Sequence, residues 1–255
     1  MFFILSKRKI YSYLIALSTV VILFVSVNFI QGYSSIQTSS RTTRLIPIYS
    51  VDTKEKEIAL TINCAWNADD IDTILDILEE TQTTITFFVV GDWVDKYSDY
   101  VKKIADKGHE IANHSNTHPH VNNLSYEKNI EEIQKCNEKI KKITGKNPYL
   151  YRGPYGEYND TVIKAAESLN MKTIQWSLDT LDYSGLTGEE MWKRLDGKLT
   201  SGSIILMHNG TKHTKDSLKM IINNIKNDGY KIVPVSELIY KENYYIDVNG
   251  MQKNV

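Results

Sequence analysis

Cysteine is scarce in this chain. Cys64 and Cys136 are the only two among 255 residues, which excludes a disulfide framework. Five prolines and thirteen glycines are too few for a fibrous or low-complexity protein. A cationic excess is missing as well. Thirty basic residues face thirty-one acidic ones, a formal net charge of −1, so nothing equips the chain to hold a phosphate backbone and no nucleic-acid partner is expected. Long charge-free apolar runs are absent outside the first thirty residues.

That one exception is residues 10–30, which carry no charge. Some twenty apolar residues rising about 1.5 Å each cross roughly 30 Å of hydrocarbon. Lys7, Arg8 and Lys9 precede the run, which favours a cytoplasmic N-terminus and export of the remainder of the chain. A cleaved signal peptide would have a shorter apolar core and a small-x-small site. Here the run passes into Val27-Asn28-Phe29-Ile30-Gln31-Gly32 without one. The expected layout is a cytoplasmic segment 1–9, a single transmembrane anchor 10–30 in the cell membrane, a Ser/Thr-rich linker 31–53, an extracellular domain 54–241 and a tail 242–255. Outside the cell, without disulfides, such a domain must be stable through its core.

From residue 54 short β-rich runs alternate with longer helical stretches. The runs are 57–63, 84–90, 109–113, 149–152, 172–176, 203–207 and 230–233. The helical stretches are 70–80, 93–107, 126–144, 160–169, 188–199, 214–228 and the short 235–240. Such alternation implies parallel pairing, and seven units favour a nearly closed barrel over a doubly wound sheet. The expected class is α/β, a distorted (β/α)7-type barrel after an N-terminal transmembrane helix. In α/β barrels the chemistry sits at the C-terminal ends of the strands. Cys64, His114, His118, Arg152, Asp179, Asp182 and His208 all fall at such ends.

His114-Ser115-Asn116-Thr117-His118 sets two imidazoles four apart, which on a helical turn share a face and suit two ligands of one metal ion, zinc first. Tyr151-Arg152-Gly153-Pro154-Tyr155-Gly156 reads as a rigid loop whose amides could face a substrate oxygen. Trp176-Ser177-Leu178-Asp179-Thr180-Leu181-Asp182-Tyr183 places two carboxylates beside aromatics, and His208 leaves a very apolar strand where acid–base work is possible. His109, His120 and His213 read as surface or supporting residues, and Cys136, in a charged helix, as an exposed idle thiol.

In this order the segments resemble the NodB-homology polysaccharide deacetylases, the family 4 carbohydrate esterases. The likeness covers about residues 54–240, with Ile58-Ala59-Leu60-Thr61, Thr86-Phe87-Phe88-Val89, Gly108-His109-Glu110-Ile111-Ala112-Asn113-His114 and Gly229-Tyr230-Lys231-Ile232-Val233-Pro234-Val235 in support. The resemblance implies removal of acetyl groups from N-acetylated sugars with a divalent metal. It implies His114 and His118 as metal ligands, Arg152 holding the base, and the Tyr155 amide facing the oxyanion beside Pro154 and Trp176. It also implies His208 as proton donor to the departing amine, with Asp182 and Asp179 supporting it. For an anchored outward-facing domain, peptidoglycan is the expected glycan.

The first motif departs from the family. Where members read Thr-Phe-Asp-Asp-Gly, this chain reads Thr61-Ile62-Asn63-Cys64-Ala65 without a gap. Asn63 stands for the general base and cannot accept a proton near neutral pH. Cys64 stands for the third metal ligand, where a thiolate would favour zinc. Asp69 or Asp70 could swing in as base or ligand, or a zinc-bound water could react with little help. Alternatively the domain is a glycan binder that has lost turnover. A glycosidase using Asp179 and Asp182 would need no metal.

Overall fold

The computed structural model describes residues 7–36 and 44–255, which fall into two compact units divided after Thr43. In the first unit, helix α1 (Lys7–Ile36) is exposed along residues 11–26. Its hydroxyls turn inward on the helix: Thr19 Oγ1 donates to the Ile15 carbonyl at 2.6 Å and Ser26 Oγ to that of Ile22 at 2.6 Å. Among the described residues no helix is long and apolar enough to cross a membrane. The span expected over 10–30 lies partly outside them, since the side chains of 10 and 27–30 are not described.

The second unit is built on parallel strands. After β1 (Ser50–Val51) come β2 (Glu57–Cys64), β3 (Thr86–Val89), β4 (Glu110–Asn113), β5 (Leu150–Tyr151), β6 (Lys172–Thr173), β7 (Leu178–Asp179), β8 (Ile204–His208) and β9 (Lys231–Ile232). The sheet runs β6-β5-β4-β3-β2-β8-β7, with β9 paired to the start of β2. Helices follow the strands: α2 (Ile71–Glu80), α3 (Gly91–Lys96), α4 (Ser98–Asp106), α5 (Tyr126–Thr144), α6 (Asp160–Ser168), α7 (Gly188–Leu195), α8 (Thr214–Asn227) and α9 (Val235–Leu238). The expected alternation is present in outline.

Side-chain alternation along β2 divides the interior. Ile58, Leu60, Ile62 and Cys64 enter the helix-side core with Ile71, Ile74, Leu75 and Leu78 of α2. Ala59 joins Phe88, Ala112, Leu150, Ile174 and Ile204 in a second core. Thr61 and Asn63 have Ala59's parity, and both receive hydrogen bonds from buried Arg152. An apolar face against helices and a partly polar face inside the curl follow from one two-residue period.

Three features differ from the sequence reading. The helix expected over 93–107 breaks at Tyr97, whose φ of −127° and ψ of 41° separate α3 from α4. The run 172–176 is not one strand: β6 ends at Thr173 on one sheet edge, and residues 174–177 cross to β7 on the other. The segment 44–53, expected to be linker, belongs to the folded unit, with Ile48 and Val51 buried. Ile48 N–H donates to the Thr173 carbonyl at 2.9 Å, and its own carbonyl accepts from Gln175 N–H at 2.7 Å. Val51 packs so tightly on Gly202 (φ 80°) that a Cβ there would lie 1.7 Å from its carbonyl oxygen, so only glycine fits. The stretch 242–255 is likewise ordered, as β10 (Tyr244–Ile246) and β11 (Met251–Asn254), and β11 pairs with β1.

Candidate active site

The loop leaving β4 carries the paired histidines, and it is not a helical turn. Ser115 and His118 have φ of 68° and 57°, so the loop folds on itself and brings the two rings to 5.1 Å at 79°. Asn113 Oδ1 accepts from Ser115 N–H at 2.7 Å. Glu132 of α5 accepts from Ser115 Oγ at 2.7 Å, Asn116 N–H at 3.0 Å and Thr117 N–H at 2.9 Å. Sequence reasoning missed this carboxylate, which is one of many charges on a charged helix.

His114 is buried, and its Nδ1 lies 2.7 Å from the Arg152 carbonyl. A carbonyl can only accept, so Nδ1 carries the proton and Nε2 offers its lone pair. That lone pair faces Asn63 Nδ2 at 3.2 Å. Burial, with His118 beside it, holds the His114 pKa well below the usual histidine value, which keeps the ring neutral.

Asn63 Oδ1 faces the other way and accepts from an Arg152 Nη1 at 2.9 Å. The same nitrogen donates to Thr61 Oγ1 at 2.9 Å, and Nη2 donates to the Gln175 carbonyl at 3.0 Å. The guanidinium stacks 3.9 Å over Phe88 and lies 5.5 Å from the Trp176 ring. Arg152 is fully buried, no carboxylate among the described residues bonds to it, and burial pulls its pKa down to about 9. Asn63 therefore bridges a cation and a neutral imidazole with one carboxamide.

Across the mouth, Asp182 is buried and takes four donors: His208 N–H at 2.6 Å, His208 Nδ1 at 2.9 Å, Thr214 Oγ1 at 2.7 Å and Tyr183 N–H at 2.9 Å. The imidazole is thereby oriented by its Nδ1, leaving Nε2 for proton transfer. Thr214 is a second supporting residue that sequence reasoning missed. Asp179 takes no part in that cluster. Its carboxylate accepts from Leu181 N–H at 2.7 Å, its carbonyl from Arg194 Nε at 2.7 Å, and burial raises its pKa. Asp182 is thus committed to holding His208, and Asp179 to its own turn.

Tyr155 sits at φ 58°, a strained place for a non-glycine residue. Its exposed ring packs on His118 at 4.6 Å and stacks on His120 at 4.3 Å, while Glu157 holds His120 Nδ1 at 2.7 Å. His120 is thus at the mouth. Pro154 is buried at the start of this turn, and Trp176 is half-buried against Gly156.

The expected third metal ligand is not brought to the histidines. Cys64 lies one residue beyond Asn63, so it takes the opposite strand face, fully buried in the helix-side core. Burial, with Asp70 nearby, holds its thiol well above the usual value. Asp70 accepts from Gly210 N–H at 2.7 Å and Asn209 Nδ2 at 3.2 Å, bracing the loop after β8, and Asp69 is exposed. Among the described residues no three His, Cys, Asp or Glu side chains are grouped to hold a metal ion. Since His114 Nε2 already faces an amide, the residues present do not fit a three-ligand centre. Two further expectations also change. Cys136 is buried, its Sγ 3.4 Å from the Val89 carbonyl, because it lies on the inward stripe Ile133, Cys136, Ile140. His109 is buried too, accepting from Ile85 N–H at 3.4 Å, and burial drops its pKa to about 4.

Residues 50–174 match the family described as polysaccharide deacetylase. The uncharacterized protein YlxY of Bacillus subtilis is 36% identical over 193 residues, 76% of this chain and 60% of that one, so this chain spans about three fifths of that relative. The peptidoglycan-N-acetylglucosamine deacetylase of Bacillus cereus is 31% identical over 186 residues, 71% of this chain and 68% of its own. Among solved structures, the Bacillus anthracis protein BA3943, described as a CE4 family pseudoenzyme, superposes with a TM-score of 0.73 at 33% identity, covering 82% of this chain and 70% of that one. A mutant of it is described as having restored enzymatic activity, with the same TM-score and identity, covering 82% and 72%.

Proposed function

Because this chain belongs to the polysaccharide deacetylase family, hydrolases acting on C–N bonds other than peptide bonds, we propose that it acts on N-acetylated cell-wall glycan. Peptidoglycan is the favoured substrate. The reaction is hydrolysis of the acetamide to amine and acetate, at a rate held low by the loss of the base. The observation that supports this reading is the His208–Asp182 pair, in which the buried Asp182 carboxylate takes four donors and fixes the imidazole through its Nδ1.

The chain's own groups divide the work unevenly. His208 gives its proton to the departing amine, and Asp182 stabilises the imidazolium. The strained turn at Tyr155 offers an N–H to the developing oxyanion. Asn63 cannot take a proton from water, and losing a general base costs about 10²–10⁴-fold. A divalent metal is the family's usual aid to the carbonyl, yet among the described residues no third ligand joins His114 and His118, so no step is assigned to it. The Asn63 bridge between Arg152 and His114 favours a second reading, glycan binding without turnover, and one similar chain is described as a CE4 family pseudoenzyme.

The charge-free run 10–30 behind Lys7, Arg8 and Lys9 supports a single-pass anchor, with residues 44–255 outside the cell. The inward hydroxyls of Thr19 and Ser26 suit a helix in a medium without water. Acetate release from peptidoglycan and from N-acetylglucosamine oligomers tests the catalytic reading, with His208→Ala as the control. Release that disappears in the control supports it. Glycan binding with no release by folded protein, with or without zinc, moves the assignment to the second reading.

A further inference from the structure

Trp66 directly follows the altered first motif and has no place in the chemistry above. Its indole is 51% exposed, although burying an aromatic of this size is strongly favourable. The loop that carries it is braced. The Asn67 carbonyl accepts from Trp93 Nε1 at 2.9 Å and from Asn209 Nδ2 at 2.6 Å, and Asp70 holds Gly210 N–H at 2.7 Å. The indole faces the His208 ring at 5.5 Å and 27°. Tyr183, 52% exposed, meets the same imidazole edge-on at 5.3 Å and 85°, its backbone fixed on Asp182. Two half-exposed aromatic rings on braced loops therefore flank the imidazole placed to donate a proton.

A pyranose presents a face of C–H groups to such a surface, and its hydroxyls stay at the rim. A ring already held by its loop stacks on a sugar with little ordering cost. We infer that Trp66, with Tyr183 opposite, forms a stacking subsite for a pyranose ring of the glycan chain beside His208. This subsite rests on the glycan reading above.

The test is calorimetric titration of the full-length protein in detergent with the N-acetylglucosamine pentamer. Trp66→Ala is expected to weaken binding by about tenfold or more, as for a central aromatic contact. Trp66→Phe should retain most of the affinity, and Tyr183→Phe should match the parent, because the ring and not the hydroxyl is used. An unchanged melting temperature, expected for an exposed side chain, separates lost stacking from lost fold. Undiminished binding by a folded Trp66→Ala protein overturns the subsite alone. No binding by the parent overturns the glycan reading and the subsite with it.

Discussion

Replacing Asn63 by Asp returns an anion to the buried cation of the site, and the consequences can be worked from the geometry. Arg152 is fully buried, and burial pulls its pKa down from the usual arginine range to about 9. At 1.36 kcal/mol per unit, the charged guanidinium is disfavoured by about 5 kcal/mol in its present surroundings. A carboxylate oxygen at the place of Asn63 Oδ1 would sit 2.9 Å from Nη1. Breaking a buried pair costs about 3–5 kcal/mol, but making one requires desolvating the new anion too. The other carboxylate oxygen would face the His114 Nε2 lone pair, where Asn63 Nδ2 now lies at 3.2 Å. The net gain is therefore smaller, about 1–2 kcal/mol near pH 7, or roughly 2–8 °C in melting temperature for a chain of this length. The pH dependence carries the signature. In the parent, the folded pKa of Arg152 lies below the unfolded one, so the unfolded state binds more protons above pH 9 and stability rises there with pH. The variant restores the arginine pKa and loses that rise. Its own carboxylate, depressed by the guanidinium, contributes above the unfolded value and loses that contribution as pH falls through the folded one. Melting curves of both proteins from about pH 4 to 10 therefore differ most between about pH 6 and 8 and converge above 9. A variant less stable than the parent at neutral pH, with a parallel pH profile, would refute the unpaired-arginine account.

Other substitutions have distinct expectations. Cys64→Asp puts a carboxyl into an apolar core and should cost about 2–4 kcal/mol in chemical denaturation without metal; a zinc-induced rise in its melting temperature would show instead that residue 64 turns toward the histidines. Asp182→Asn removes acceptor capacity from four donors, and should lose about 2–3 kcal/mol together with residual acetate release; a stable, fully active variant would contradict the role given to the pair. Both thiols are buried and burial lifts Cys136 to about 12, so a disulfide reagent should label neither in native protein and both in denaturant. Rapid native labelling would show a looser core.

The barrel was legible because its runs are β-rich and regularly spaced, and the mouth residues because each ends such a run. What escaped detection depended on parity and distance. Asn63 and Cys64 are neighbours in the motif, yet strand alternation sends them to opposite faces. Cys136 hid on the inward stripe of a charged helix. Residues 44–53 read as a tether because their Ser/Thr-rich surroundings are local, whereas their burial depends on partners at Gly202 and Gln252. The division of 172–176 between two sheet edges has no local signal, since the same residues satisfy a strand pattern either way.

The seam between those edges also has a mechanical meaning. The chain that enters the folded unit at residue 44 binds the segment between those edges, through Ile48 bonded to Thr173 and Gln175. Gln175 in turn gives its carbonyl to Arg152 at 3.0 Å. A pull on the chain before Ile48 would thus load these bonds first, two hydrogen bonds from the guanidinium at the centre of the site. A soluble fragment cut at residue 54 would lack that clasp, whereas one beginning at residue 44 retains it.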